Sequence, residues 1–315
     1  MAMTINIDRK LGDIIMKKVY FYIVMTAFLF GTMEVALKLT GSALDPFQLT
    51  FLRFFIGGLL LLPFAIAEIK VTQVKLTPKD FGYLMYVGIL AIPLSMLFFQ
   101  LGVMRCNAST AAVLISFNTL FTMIFAHFMA NEKLKKYNAI VLLIGLGGLI
   151  FMIKPWNMQE GNTVMGIIFM LLAAVFFGWY TVAGKISVKK MGIMAQTSFS
   201  FIMGSLVLLV IILVMGRPVF AGVPENLMAV AYVSIFVTGL GYFCYFKAIK
   251  HSDATTGSIA FFLKPAIAPV IAVIVLHEHI MWNTYIGIGL FLMASYMNIR
   301  GKRREAQLNE RKNNA

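Results

Sequence analysis

Lys264 is where the chemistry of this sequence gathers. It lies in DATTGSIAFFLKPAIAPVIAVIVLHE, from Asp253 to Glu278, and is the one lysine or arginine between those acidic ends. A run of that length spans a bilayer as a helix. A lysine near its middle costs about 3 kcal/mol or more. A charged amine at that depth binds a carboxylate, whereas an amine able to lose its charge there is a proton carrier. Pro265 follows directly and Pro269 comes four residues later. Each lacks a backbone N–H, so the carbonyls of Phe261 and Pro265 lose their usual partners. A broken helix is expected here, with Pro265 and Pro269 as hinge and source of exposed carbonyls.

Other polar groups lie inside apolar runs. Glu34 has Lys38 four residues on, on the same helical face, so the two can neutralise each other. The alternatives for Glu34 are an acid that binds an ammonium group and one that carries a proton. Arg53, in LTFLRFF, either reaches an interface or Glu34, or meets a ligand. Asn118 and Gln100 are expected to form interhelical hydrogen bonds, with substrate contact as the second reading. Trp179 and Tyr180, and Tyr242 and Tyr245 further on, are packing aromatics unless they face a cavity, where they hold the apolar or cationic part of a ligand. Lys185 reads as a boundary residue. His277-Glu278-His279 does not make a metal site: the histidines point to different sides of a helix, and no H-E-x-x-H follows. Neither metal nor cofactor is expected.

The elements that must position these groups are membrane helices. The chain has 315 residues, 60% of them hydrophobic and 13% charged, against about 25% charged in a soluble domain. Cys106 and Cys244 form no disulfide framework or zinc motif. The net charge of +14 sits at the ends of apolar runs, as topology signals do, which excludes nucleic acid as partner and leaves membrane lipid. Spans are expected at roughly 20–39, 46–67, 80–103, 108–130 and 137–153, then 163–184, 195–215, 227–249, 254–276 and 282–299. Residues 1–19 read as a cytoplasmic tail, 154–162 as an extracellular linker, and 300–315 as a basic, disordered cytoplasmic tail. Lysines and arginines crowd one set of loops, while the other set holds Arg105, Lys154 and Arg217, so both termini are expected in the cytoplasm.

The chain also contains itself twice. NASTAAVLISFNTLFTMIFAHFMANEKL, from Asn107, lies without a gap over DATTGSIAFFLKPAIAPVIAVIVLHEHI, from Asp253. This sets Asn118 against Lys264 and Glu132 against Glu278. Upstream, AFLFGTMEVALK from Ala27 lies over AVFFGWYTVAGK from Ala174, which aligns Phe30-Gly31 with Phe177-Gly178. Five spans per copy is an odd number, so the second copy is inverted. Loop charges agree: three lysines follow Glu132 and none directly follows Glu278. Inverted repeats place a transporter's substrate at the midplane between halves. The paired acids Glu132 and Glu278 are expected to cap or pair at opposite faces.

Two five-span repeats, a Phe-Gly in the first helix of each, the NAS and DAT turns before the fourth, and the P-x-x-A-x-x-x-x-x-x-L-x-E pattern from Pro269 to Glu278 resemble the drug/metabolite transporter superfamily, in its ten-helix EamA branch. The likeness covers about residues 20–299. It implies an all-α polytopic fold of ten transmembrane helices in two inverted five-helix repeats, residues 20–153 and 163–299, in the cytoplasmic membrane. It also implies export. Small four-helix multidrug exporters of that superfamily use a first-helix glutamate for cation and proton, and Glu34 lies in the matching helix, nearer its extracellular end.

The resulting expectation is a secondary transporter of a small polar metabolite, such as an amino acid, working by alternating access as a monomer or homodimer. The substrate site is drawn from Lys264, Glu34, Lys38, Arg53, Asn118, Gln100, Trp179, Tyr180 and Tyr245. Buried groups of both signs suit a zwitterion. The rival is proton-coupled efflux of quaternary cations through Glu34, with H+ as partner. A membrane enzyme would need clustered His, Asp or Ser at one depth, and the spans hold one histidine, His127, and no aspartate past the edge residue Asp80, so no enzymatic activity is expected.

Overall fold

The computed structural model describes residues 18–41, 43–130, 136–154, 160–251 and 259–313, and these residues contain helices and no strand. Among these described residues, seven helices are long and apolar enough to cross a membrane: α1 (Lys18–Thr40), α2 (Pro46–Thr72), α3 (Pro78–Val103), α4 (Ala108–Met129), α6 (Val164–Met191), α7 (Ile193–Val214) and α8 (Leu227–Tyr245). Three more, α5 (Lys136–Ile153), α9 (Ile259–Leu276) and α10 (Trp282–Asn313), carry shorter apolar stretches. Together they occupy the ten expected spans. Caps fix several starts. Asp45 precedes Pro46 and accepts hydrogen bonds from the Phe47 and Gln48 amides at 2.9 and 3.4 Å. Thr163 accepts from the Gly166 amide at 3.0 Å.

The two copies pack as an inverted pair. α2 lies along α7, α5 along α10 and α4 along α9, so these six helices meet their own counterparts. α4 packs on α6 just as α9 packs on α1. The Phe-Gly dipeptides mark these last two crossings. A Cβ on Gly31 would stand 2.7 Å from the Ile267 side chain, and one on Gly178 would stand 2.8 Å from the Thr122 backbone nitrogen. Close approach of helices, rather than backbone conformation, is what these glycines supply. The two sites differ in what must give way. Gly178→Ala presses on backbone and is expected to lower the melting temperature of purified protein clearly. Gly147→Ala, with nothing within 4 Å of the added carbon, is expected to leave it unchanged.

The irregular backbone lies elsewhere than expected. α9 runs unbroken from Ile259 to Leu276 through both Pro265 and Pro269, so the predicted proline break is corrected. Each proline costs one hydrogen bond, but opening the helix would leave several more backbone groups unpaired in an apolar setting. The interruption falls instead in the proline-free copy. α4 consists of Ala108–Ser116 and Asn118–Ala130, with Phe117 between them. Side chains explain it: Ser116 donates to the Ala112 carbonyl at 2.7 Å, Asn118 to Ile115 at 2.7 Å and Thr119 to Ser116 at 3.1 Å, competing with the helix ladder. Two wide π-helical stretches occur at matching places in the repeats, Leu90–Met96 in α3 and Tyr232–Leu240 in α8. Pro93 lies in the first, and in the second the Thr238 hydroxyl reaches back five residues to the Val233 carbonyl at 2.8 Å. α1 bends at Thr32, whose hydroxyl donates to the Leu29 carbonyl and shares a hydrogen bond with the Tyr232 hydroxyl, both at 2.8 Å.

A second correction concerns the C-terminus. The basic tail expected to be disordered continues α10 as far as Asn313. After Gly301 it contains Arg, Lys, Glu, Ala, Gln, Leu and Asn but no proline, so propensity offers nothing to stop the helix.

Candidate functional site

Two cationic side chains flank the ring of Phe99, itself fully buried on α3, and an acid pairs with one of them. Lys264, from α9, is 2% exposed and Glu34, from α1, not at all. The Lys264 ammonium lies 2.6 Å from Glu34 Oε1. Lys264 Nζ also stands 5.6 Å from the centre of the Phe99 ring, and the Arg53 guanidinium carbon, from α2, stands 5.9 Å from the same centre. Arg53 is 1% exposed. It lies over Phe54 at 4.4 Å and directs its terminal nitrogens at the sulfurs of Met33 and Met96, 3.6 and 3.7 Å away.

Beside this cluster is a cavity of about 20 Å³, room for roughly one water. Phe30, Met33, Met96, Ile115, Asn118, Phe177, Tyr242 and Lys264 line it. Three wall pairs are equivalent in the two copies: Phe30 with Phe177, Asn118 with Lys264, and Met96 with Tyr242. Matching positions of both copies therefore contribute to its wall. Its symmetry is broken in charge, because an amide in one copy faces a lysine in the other.

The remaining candidates divide between this site and elsewhere. Asn118 lines the cavity, but its side-chain nitrogen bonds the Ile115 carbonyl within its own helix, so the expected interhelical bond is corrected. Gln100 is fully buried and, among the described residues, its amide has no hydrogen-bond partner at either end, which corrects the same expectation there. Tyr242 meets Phe30 edge-on, with ring centres 5.1 Å apart, and Tyr245 lies 6.3 Å from the same ring. Tyr180 is buried in α6 behind Phe177, at 5.5 Å. Trp179 stacks on Phe125 and Phe176 outside the cavity wall.

Lys38 is the clear displacement. It does not pair with Glu34; its ammonium donates to Glu278 Oε1 and to the Cys106 carbonyl, both at 3.1 Å. Physics favours this exchange of partners. Lys264, 2% exposed, takes the buried acid, while Lys38, near the end of α1, is 30% exposed and reaches a peripheral one. Glu278 caps α4 besides: it accepts from the Ala108 and Ser109 amides at 2.6 and 3.1 Å and from the Ser109 hydroxyl at 2.8 Å. The expected capping role of Glu278 is thus present. Its counterpart Glu132, and the turn at Asp253, lie outside the described residues.

Burial works against ionisation of Glu278, but the Ala108 and Ser109 donors and the Lys38 ammonium outweigh it and hold the carboxyl below its ordinary value of 4.5. A depressed folded value means the stabilisation is complete above 4.5 and is lost as pH falls through the lower folded value. Glu278→Gln is expected to cost about 1 kcal/mol at neutral pH, measured by thermal unfolding, with the gap from the parent closing as the pH is lowered below 4.5. A gap that stays constant with pH contradicts the assignment.

Met33, Met96 and Phe99 were not singled out in the sequence. Met96 was within reach, since the gapless overlay carried eleven residues upstream of Asn107 and Asp253 pairs it with Tyr242. Phe99 is one of 28 phenylalanines, and nothing in its context sets it apart.

Comparison with known proteins agrees with this architecture. The EamA-like transporter family matches residues 17–154 and again 164–300. An "Uncharacterized transporter" of Clostridium kluyveri is 38% identical over 300 residues, 93% of this chain and 96% of that protein. An "S-adenosylmethionine uptake transporter" of Rickettsia prowazekii is 28% identical over 179 residues, 55% of this chain and 57% of its own. A crystal structure aligns with a TM-score of 0.65 over 91% of this chain and 98% of its own at 17% identity, a likeness of fold alone.

Proposed function

This chain belongs to the EamA-like transporter family, and from that premise we propose that it carries a small polar metabolite, an amino acid or a relative, across the cytoplasmic membrane by alternating access about the Lys264–Glu34 site. The observation that carries this reading is the position of the 2.6 Å ion pair. It sits in the interior, and its lysine lines a cavity to which both repeats contribute, where a structural role has little to recommend it. A buried ion pair adds little to stability compared with apolar residues of the same volume. The same two groups suit a zwitterion: the ammonium meets a carboxylate and Glu34 meets an amine.

Tyr242 and the paired phenylalanines supply apolar faces for the rest of such a ligand. The cavity holds about one water, so a metabolite enters only when one end of the bundle opens. Loop charge supports cytoplasmic termini. Outward transport follows the family resemblance, although the similar rickettsial protein is named for uptake; direction then depends on the substrate gradient rather than on the site.

The rival, cation efflux through Glu34, is disfavoured by the partner that Glu34 already has. The deciding experiment compares Glu34→Gln and Lys264→Ala in proteoliposomes, for exchange of labelled amino acids and for efflux of a quaternary ammonium dye. Loss of amino-acid exchange in both variants is expected. Loss of dye efflux in Glu34→Gln, with Lys264→Ala unaffected, overturns the proposal in favour of its rival.

A further inference from the structure

Arg53 is the group the proposed exchange leaves unused. It is as deeply buried as Lys264, yet among the described residues no carboxylate lies within ion-pair distance of it, its Nε has no hydrogen-bond partner, and its best contacts are two thioethers and two rings. Thioether sulfur is a weak acceptor. A guanidinium in such surroundings has lost its water without gaining an acceptor that matches its planar, bidentate fork.

Charge arithmetic leads to the ligand. Glu34 and Lys264 cancel. Arg53, around the same Phe99 ring, leaves the cluster with one uncompensated positive charge. A zwitterion brings no net charge and leaves that excess in place. A monoanion removes it. One residue along α3 from Phe99 lies Gln100, a fully buried amide with unused donor and acceptor. It shares a helical face with Met96, whose sulfur touches Arg53.

We infer that Arg53, with Gln100 one turn of α3 beyond the Met96 that it touches, is the carboxylate receptor of the central site, and that the transported substrate carries one net negative charge: a dicarboxylic amino acid or a small 2-oxo acid rather than a neutral zwitterion. This rests on the reading of the central site as a transport site, and it narrows the substrate class within that reading. Arg53 binds the carboxylate that fixes net charge, and the Lys264–Glu34 pair is left to orient the remaining polar group.

The test uses near-isosteric probes that differ by one negative charge. Purified full-length protein is melted with aspartate against asparagine, glutamate against glutamine, and pyruvate against alanine, since a ligand that binds the folded state raises the melting temperature by mass action. Expected is a rise with at least one anionic member of a pair and none with its neutral partner. In Arg53→Gln that preference disappears or reverses. Arg53→Met supplies an arm that needs no ligand. If the guanidinium awaits a substrate, removing it is expected to raise the unliganded melting temperature by about 2 °C or more. A fall makes Arg53 a structural cation and overturns the inference. So does a wild-type protein that no anion stabilises beyond its neutral partner. If the neutral partners stabilise the wild type and Lys264→Ala abolishes that effect, the inference fails while the central site stands. If neither class binds and labelled amino acids do not exchange, the transport reading fails with it.

Discussion

Lys264→Met is expected to abolish transport and to destabilise the fold together, and the second effect is the more diagnostic. Removing the ammonium leaves Glu34 fully buried with its nearest counter-charge gone. Breaking a buried ion pair by deleting one partner costs about 3–5 kcal/mol, whereas replacing both partners by neutral groups of similar size is often neutral or stabilising. The double variant Glu34→Gln with Lys264→Met is therefore expected to recover most of the lost stability and none of the transport. Thermal unfolding and proteoliposome exchange on the two single variants and the double variant check this. If the double variant is less stable than either single one, the groups do not act as a pair. If Lys264→Met transports normally, the pair is an architectural feature and the site is elsewhere.

A covalent tie at the Glu278 end is expected to stop transport completely and reversibly. Glu278 follows α9 of the second repeat and is bonded to Lys38 on α1 and to the start of α4 in the first. If the repeats part there during each cycle, Lys38→Cys paired with Glu278→Cys, with Cys106 and Cys244 replaced, falls to background exchange on treatment with a short bifunctional thiol reagent carrying a reducible link. Reduction restores the activity. Each single-cysteine variant treated alike retains its activity, which separates closure from chemical damage. Exchange that survives complete cross-linking shows that this end does not open, and rules out alternating access through it.

How far the molecule is readable without coordinates depends on how many residues carry each signal. Spans rest on runs of about twenty apolar side chains, so all ten were placed. The inverted repeat rests on a gapless overlay supported by loop charges. The site was half legible. A lysine inside a span announces itself through its cost, and Glu34 and Arg53 do so for the same reason. Their partners do not, because a pairing between α1 and α9 depends on a crossing fixed by Gly31 against Ile267, far apart in sequence. The local rule that joins residues four apart pointed Glu34 to Lys38, and tertiary proximity prevailed. Backbone irregularity was the least legible part. Pro265 and Pro269 sit in an intact helix, while modest Ser, Asn and Thr side chains interrupt α4. In an apolar medium the number of unpaired backbone groups decides, and that number depends on every neighbouring hydroxyl and amide.

The two wide turns at Leu90–Met96 and Tyr232–Leu240 bear on tolerance to changes in length. Each holds a surplus residue relative to the regular helix that flanks it. Because one residue of α-helix advances the face by about 100°, a deletion earlier in α3 would swing Met96 away from Arg53. A deletion inside the wide turn returns the surplus and leaves both flanks in register. These two segments are where the chain has slack, and where lengths can drift between relatives without disturbing the charged cluster between them.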